Sequence, residues 1–224
     1  RNQVLLIEEG TVGDDFLSLM PKGFGKILSD PARAHFIPTV HSRGTNEPEI
    51  WVRGKQLGGS SAVNGMVWTR GQPADWDKLA ELAGPQWAWP EMLRIYKSME
   101  NHAMGESETR GVGGPVDVKT HPAPTAITDA FVEAGVEMGL PRKLDQNQLE
   151  QEGIGYLQWN IDPRGRRVSA GRAFLGRARG RPNLTIATGV RTDRIVIENG
   201  RAVAVEGVRD GQPARYDARG EIVL

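Results

Sequence analysis

The chain opens on Val4-Leu5-Leu6-Ile7, an unbroken apolar run with β-branched ends, which predicts a strand covered on both faces in a parallel sheet. Its last 41 residues, from Leu184 to Leu224, behave differently: apolar and polar positions alternate between turn signals at Asn199-Gly200 and Asp210-Gly211. That pattern predicts an antiparallel meander. Between these ends, helical spacing predicts helices over Asp75–Leu82, after Pro90, and over Thr125–Leu140. The second carries Met92, Leu93, Tyr96 and Met99 as core contacts, and the third shows Ile127, Ala130, Phe131, Ala134 and Met138 on one face. From Thr11 to Glu49 four prolines interrupt the pattern, which predicts loops around one short helix near Phe24–Ser29. Short strands are expected at Gly114–Val118 and Gly155–Ile161, and Gly165–Leu175 reads as a turn leading into a helix. The order of elements implies an α/β or α+β architecture.

Composition narrows the chemistry. At 224 residues the chain has ample length for a core. Its 28 Lys and Arg balance 28 Asp and Glu, so no bulk charge advertises nucleic acid or an anionic membrane. With no cysteine, disulfides, thiolate metal sites and a Cys nucleophile are excluded. No stretch approaches the roughly 18 apolar residues that span a bilayer, and the default expectation is a cytoplasmic location. The chain starts without Met and stops within Glu221-Ile222-Val223-Leu224, a second strand-like run, so an internal piece of a longer protein is expected, truncated at both ends. Two edge strands of a complete small domain are the alternative.

Four histidines, His35, His41, His102 and His121, fit no zinc spacing, and no metal is expected. Ser60-Ser61 forms no Gly-x-Ser-x-Gly elbow, which argues against a hydrolase. Seven arginines in the eighteen positions Arg164–Arg181 are dense enough to suggest a nucleic-acid patch. Sparse aromatics and neutral overall charge favour a solvated helix face or inter-domain ion pairs. The six tryptophans are expected mainly as core fillers.

The most informative stretch runs from Gly54 to Asp77. Its Gly58-Gly59-Ser60-Ser61 run lets backbone approach a ligand closely, as in loops that cradle pyrophosphate or a flat heteroaromatic ring. A bare run of this kind also suits a linker or tight turn. The flanks decide: Leu57-Gly58-Gly59-Ser60-Ser61, Asn64-Gly65-Met66-Val67, Arg70-Gly71, Pro73 and Asp77 together resemble the first signature of the glucose-methanol-choline (GMC) flavin-dependent oxidoreductases. Val4–Gly10 is similar to that family's second Rossmann strand, Gln151–Tyr156 and Gly165–Leu175 to its middle segment, and Arg181–Thr185 to its entry into the meander.

The resemblance implies a Rossmann-like FAD-binding domain (1–113 and 184–224) interleaved with part of a substrate-binding domain (114–183). It implies FAD contacts at Glu8 (adenosine ribose), Gly58, Gly59 and Ser60 (pyrophosphate and ribityl chain) and Asn64, Gly65, Met66 and Val67 (beside the isoalloxazine). Thr192 falls where the family contacts adenine through a valine backbone, with Val190 two residues earlier, and Trp68 is the candidate for a substrate-facing role. Val63 stands where some members attach flavin through histidine, so non-covalent FAD is expected. The activity implied is oxidation of a small-molecule alcohol by hydride transfer to flavin N5. The family's Gly-rich phosphate turn and catalytic histidine would fall before Arg1 and beyond Leu224, so no catalytic residue is expected here. The missing first strand would lie between Val4–Ile7 and Ile222–Leu224. A non-catalytic, flavin-independent interaction domain related to the family is the competing expectation.

Overall fold

The computed structural model describes residues 2–40, 48–121 and 123–224, so His41 lies outside the described residues. Two compact units are present: Arg1–Asn64 together with Ala170–Leu224, and the continuous stretch Gly65–Ser169. These breaks fall at 64/65 and 169/170, whereas the resemblance divides the chain at 113/114 and 183/184.

In the discontinuous unit, strand Val4–Ile7 pairs in parallel with Leu184–Ala187, in the register Val4↔Leu184 through Ile7↔Ala187. Three antiparallel strands follow, Val190–Glu198, Arg201–Arg209 and Gln212–Asp217. Their two-residue turns have positive φ at both central positions, 51° and 76° at Asn199-Gly200 and again at Asp210-Gly211. This is the turn whose twist matches a hairpin, and Asn, Asp and Gly are the residues that tolerate it. Across the meander, Glu206 accepts from Arg194 at 2.7 Å and from Arg215 at 2.8 Å, a triad of cross-strand neighbours. The expected terminal strand is not formed: Glu221–Leu224 pairs with no strand among the described residues, and Val223 and Leu224 are exposed.

The proline-broken segment holds more order than expected. Helix Phe16–Leu19 is capped by Asp15, whose carboxylate accepts from the Leu17 and Ser18 amides. Pro21–Gly23 forms a 3₁₀ turn leading into helix Phe24–Ile27. Ala34–Pro38 then pairs antiparallel with Ile50–Gly54. Pro38 ends its strand, where a missing N–H disrupts no interior ladder.

In the continuous unit, helix Pro73–Ala83 starts with a capping box between Gln72 and Asp75 and stops at Gly84, whose φ is 106°. Helix Trp89–Met99 follows, with Met92, Leu93, Tyr96 and Met99 half-buried. Helix Ala126–Glu137 departs from expectation in the use of its faces. Ile127 and Phe131 are 79% and 72% exposed, while Val132 and Gly135 are buried. Gly135 explains the choice: a Cβ there would stand 2.3 Å from the Ile154 side chain, so the helix approaches through its smallest residue. The candidate strand Gly155–Ile161 resolves into Ile154–Gly155 and Gln158–Trp159, the latter paired with Val67–Trp68.

Of the tryptophans only Trp89 is buried. Trp76 stacks on Trp87 at 6.4 Å, and Trp51 is half-exposed beneath the Arg53 guanidinium at 4.6 Å. Among the described residues no helix is long and apolar enough to cross a membrane.

Candidate functional site

The glycine-serine loop is built from below. Gln56 is completely buried, and its amide donates to the Ala62 carbonyl at 3.2 Å, bridging the two ends of the loop. Gly58 has φ 98° and Gly59 φ 54°, left-handed values that favour glycine. The chain then makes a 3₁₀ turn over Gly59–Ala62. Ser60 Oγ accepts from the Gly54 amide at 3.2 Å, and Ser61 Oγ donates to the Gly58 carbonyl and accepts from the Ala170 amide at 2.8 Å. Both serines therefore brace the loop. A Cβ on Gly54 would stand 2.1 Å from the Gly59 carbonyl oxygen, whereas a Cβ on Gly59 would meet nothing within 4 Å. Gly54 is thus required by packing, and Gly59 leaves its outer side open.

Beside this loop lies a mostly apolar cleft of about 580 Å³, within the size range of small-molecule sites. It brings together Glu8 and Gly58 from the sequence-predicted contacts and Leu57 of the signature, along with Gly171, Phe174 and Arg181. Glu8 follows directly on strand Val4–Ile7. Its amide donates to Ala187 O at 2.9 Å, its carbonyl accepts from Val190 N at 3.0 Å, and its side chain accepts from Gly10 N at 2.8 Å. Three bonds therefore fix where the carboxylate sits. The helical wall is close because Gly171 has no side chain: a Cβ there would stand 2.7 Å from the Leu57 carbonyl.

Gly59 and Ser60 follow Gly58 in the same loop but do not line the cleft. Thr192 is exposed on a meander strand, opposite Gly207 and beside a register shift, and is also outside the lining. Val190 is buried. Asn64 is exposed, and its amide donates to Ser60 O at 2.9 Å. Arg181, Phe174 and the wall Ala170–Ala178 are the cleft residues that sequence reasoning missed. The signal for them was the small pair Ala170-Gly171 at the start of the predicted helix. The arginine-dense stretch is accordingly no uniform solvated face. Arg166 pairs with Asp162 at 2.9 Å, and Arg167 is buried, which pushes its pKa down to about 10 and leaves it protonated at neutral pH.

In the continuous unit, Gly65 leads to Met66, which is buried with φ 63° and accepts from Asn160 N at 3.0 Å. Val67 and Trp68 form the short strand that follows, Val67 38% exposed and Trp68 half-buried. A buried polar network holds this strand. Trp68 Nε1 donates to Glu100 Oε1 at 2.9 Å, and Glu100 Oε2 accepts from Arg70 at 2.5 Å and from Gly111 N at 2.9 Å. Both the Arg70 and the Glu100 side chains are 0% exposed. The Arg70 guanidinium also lies 5.0 Å from the centre of the Tyr96 ring. Asn147 holds the backbone: its Oδ1 accepts from Arg70 N at 2.9 Å and its Nδ2 donates to Trp68 O at 3.1 Å.

Asn147 Nδ2 also donates to Gln158, which donates to Asp145. Burial alone would raise the Asp145 pKa. Hydrogen bonds from Arg110, the Asn147 amide and Gln158, with the charge of Arg110, outweigh it and hold the carboxyl below its ordinary value of 3.8. A lowered folded-state pKa means that the unfolded chain binds the proton more readily, so the stabilisation is present above about pH 5 and is lost as pH falls through the folded value. Thermal melts between pH 7 and pH 3 are expected to show a loss of stability below about pH 4 that is shallower in Asp145→Asn.

Among the described residues, no group of three or more His, Cys, Asp and Glu side chains is placed to hold a metal ion. The family model of the GMC oxidoreductases matches residues 8–224. The chain belongs to the GMC oxidoreductase family. Oxygen-dependent choline dehydrogenase of Escherichia coli K12 is 42% identical over 176 residues, which cover 77% of this chain and 32% of that protein. The enzyme of the same name from Stenotrophomonas maltophilia is 42% identical over 174 residues, 77% of this chain and 31% of its own. Among solved structures, pyridoxine 4-oxidase from Mesorbium loti superposes with a TM-score of 0.88 at 34% identity, over 96% of this chain and 43% of that one. A formate oxidase structure shares the fold with a TM-score of 0.83 at 23% identity, over 97% of this chain and 40% of that one. The chain thus spans about a third of the length of the curated GMC relatives it matches.

Proposed function

We propose that this chain supplies FAD-binding residues and part of the substrate domain to an oxidoreductase that converts a CH–OH group to an aldehyde or ketone. The observation that carries the reading is the cleft: it joins Glu8, at the tip of a parallel strand, to the left-handed Gly58 of the family signature loop. The residues fit the cofactor. An oriented carboxylate at a strand tip suits a ribose hydroxyl pair, and Gly59 offers open backbone of the kind that lies against a pyrophosphate.

The bound flavin supplies a hydride acceptor at N5. The chain's own residues do the holding: Glu8 orients the ribose, Gly58, Gly59 and Ser60 seat the phosphates and ribityl chain, and Asn64 to Val67 run beside the ring. Thr192 and Val190 are the adenine-side positions. Binding is non-covalent, since Val63 is a buried hydrocarbon without a nucleophilic atom. Proton removal from the hydroxyl is assigned to no residue of this chain. Substrates are small alcohols, in keeping with the choline and pyridoxine named for the relatives.

The test is the visible spectrum of the purified protein that carries this chain, before and after acid precipitation. Flavin bands that leave with the supernatant support the reading, and a colourless protein that FAD cannot reconstitute overturns it in favour of a flavin-independent domain. Gly59→Ala sharpens the test. Its Cβ meets no atom, so the expected cost is the left-handed strain alone, about 1–2 kcal/mol. Flavin retention is expected to fall at least tenfold while the protein stays folded. Unchanged retention would remove Gly59 from the cofactor contacts.

A further inference from the structure

We infer that Glu100 is a positioning residue for the substrate side of the site, acting through Trp68; the inference rests on the functional reading above together with the expectation from the sequence that Trp68, directly after Asn64–Val67 of the signature, faces the substrate. Glu100 is 30 residues from Arg70 in sequence, lies outside the family signature, and is completely buried. Its carboxylate serves three donors on two oxygens: the Trp68 indole on Oε1, and Arg70 and the Gly111 amide on Oε2. Arg70 and Gly111 fix one oxygen, so the direction of the other is set, and Trp68 Nε1 must meet it.

The consequence for Trp68 is specific. A tryptophan has one polar atom, a donor. Here that donor is spent inward on a charged acceptor, the stronger kind of hydrogen bond, while the residue as a whole stays half-buried, neither sealed in the core nor fully exposed. Asn147 holds the backbone on both sides of the same residue, through Trp68 O and Arg70 N. Backbone and side chain are therefore pinned independently. The outward surface of Trp68 is hydrocarbon and π-face without a hydrogen-bond donor. Such a wall selects for substrates that present an apolar or cationic group next to the alcohol, and offers nothing to a substrate that needs a donor there.

The experiment is a double-mutant cycle of Glu100→Gln and Trp68→Phe in the flavin-loaded protein that carries this chain. Near-UV circular dichroism is read first, then KM and kcat with choline as the probe alcohol. The dichroism lost in Trp68→Phe defines the signal of a fixed Trp68 ring. Glu100→Gln is expected to remove most of that signal with helix content unchanged, to raise KM about tenfold, and to leave kcat within about threefold. The double variant is expected to be no worse than the worse single one, because both remove the same bond. A full Trp68 signal in folded Glu100→Gln overturns the inference, and so do effects on KM that add.

If Glu100→Gln does not fold, Trp68→Phe decides: it keeps an aromatic ring and removes only the donor and the benzo edge, and a KM within twofold of the parent overturns the inference. A protein without flavin, or one that leaves choline unoxidised, overturns the functional reading instead. The dichroism arm needs neither flavin nor turnover and judges the positioning role by itself.

Discussion

Arg70→Met is expected to cost about 3–5 kcal/mol, read as a lowered urea midpoint with an unchanged slope. The arginine and Glu100 are both fully buried and joined at 2.5 Å, and Arg70 also donates to Thr109 O. Removing the cation leaves the Glu100 carboxylate with two neutral donors, Trp68 Nε1 and Gly111 N, and no counter-charge in a site without water access. A buried ion without its partner is among the few single changes that consume a large share of a domain's 5–15 kcal/mol. Met keeps most of the volume and the contact with the Tyr96 ring, so the loss is electrostatic and not a cavity. Arg70→Met combined with Glu100→Gln is accordingly expected to recover part of the loss.

Gly54→Ala is expected to lower stability by about 3 kcal/mol and to abolish flavin retention, two effects that Gly59→Ala separates. The added methyl would stand 2.1 Å from Gly59 O, 2.4 Å from Gly59 C and 2.8 Å from Ser60 N. All three atoms are backbone, so no side chain can swing aside. Either the strand Ile50–Gly54 retreats from its pairing with Ala34–Pro38, or the loop is pushed off the Gln56 brace. Thermal denaturation followed beside the visible absorbance reads both effects. A variant that melts with the parent and stays yellow would show that the loop and strand slide past each other freely.

How much of this was legible depended on whether the information was local. The two hairpins of the meander were legible, since Asn-Gly and Asp-Gly between alternating strands specify the turns; Leu184–Ala187, read as part of the meander, instead pairs in parallel with Val4–Ile7, and the register shifts at Thr192/Arg194 and Val196/Ile197 carry no local signal. The helix at Pro73–Ala83 was legible for the same reason: its start, Gln72 with Asp75, and its stop at Gly84 are coded within a dozen residues. The signature loop was legible as a motif, and Gly58 did land in the cleft. The hairpin Ala34–Pro38 with Ile50–Gly54 was not, because its prolines mimic breakers and its half-exposed strands carry no clean alternation. The orientation of helix Ala126–Glu137 was hidden because close packing chose Gly135 over the larger hydrophobes. Arg70 was legible only as part of the signature and Glu100 carried no local signal, so only their meeting across 30 residues shows the buried pair.

The nesting of one unit inside the other has a consequence for the order in which the chain acquires structure. Val4–Ile7 leaves a ribosome well before its partner Leu184–Ala187, which follows roughly 180 residues later. The strand must therefore wait with its ladder unmade, whereas Gly65–Ser169 is contiguous and can fold as soon as it emerges. Once folded, that unit acts as a tether with fixed ends. It shortens the loop that the parallel pair must close by more than half, a saving of about 0.8 kcal/mol in closure entropy. The Ala170 amide lands on Ser61 Oγ, within the signature loop itself, so the return of the chain and the shaping of the loop are one late event. Slow folding and late cofactor uptake are then two readings of the same contact order.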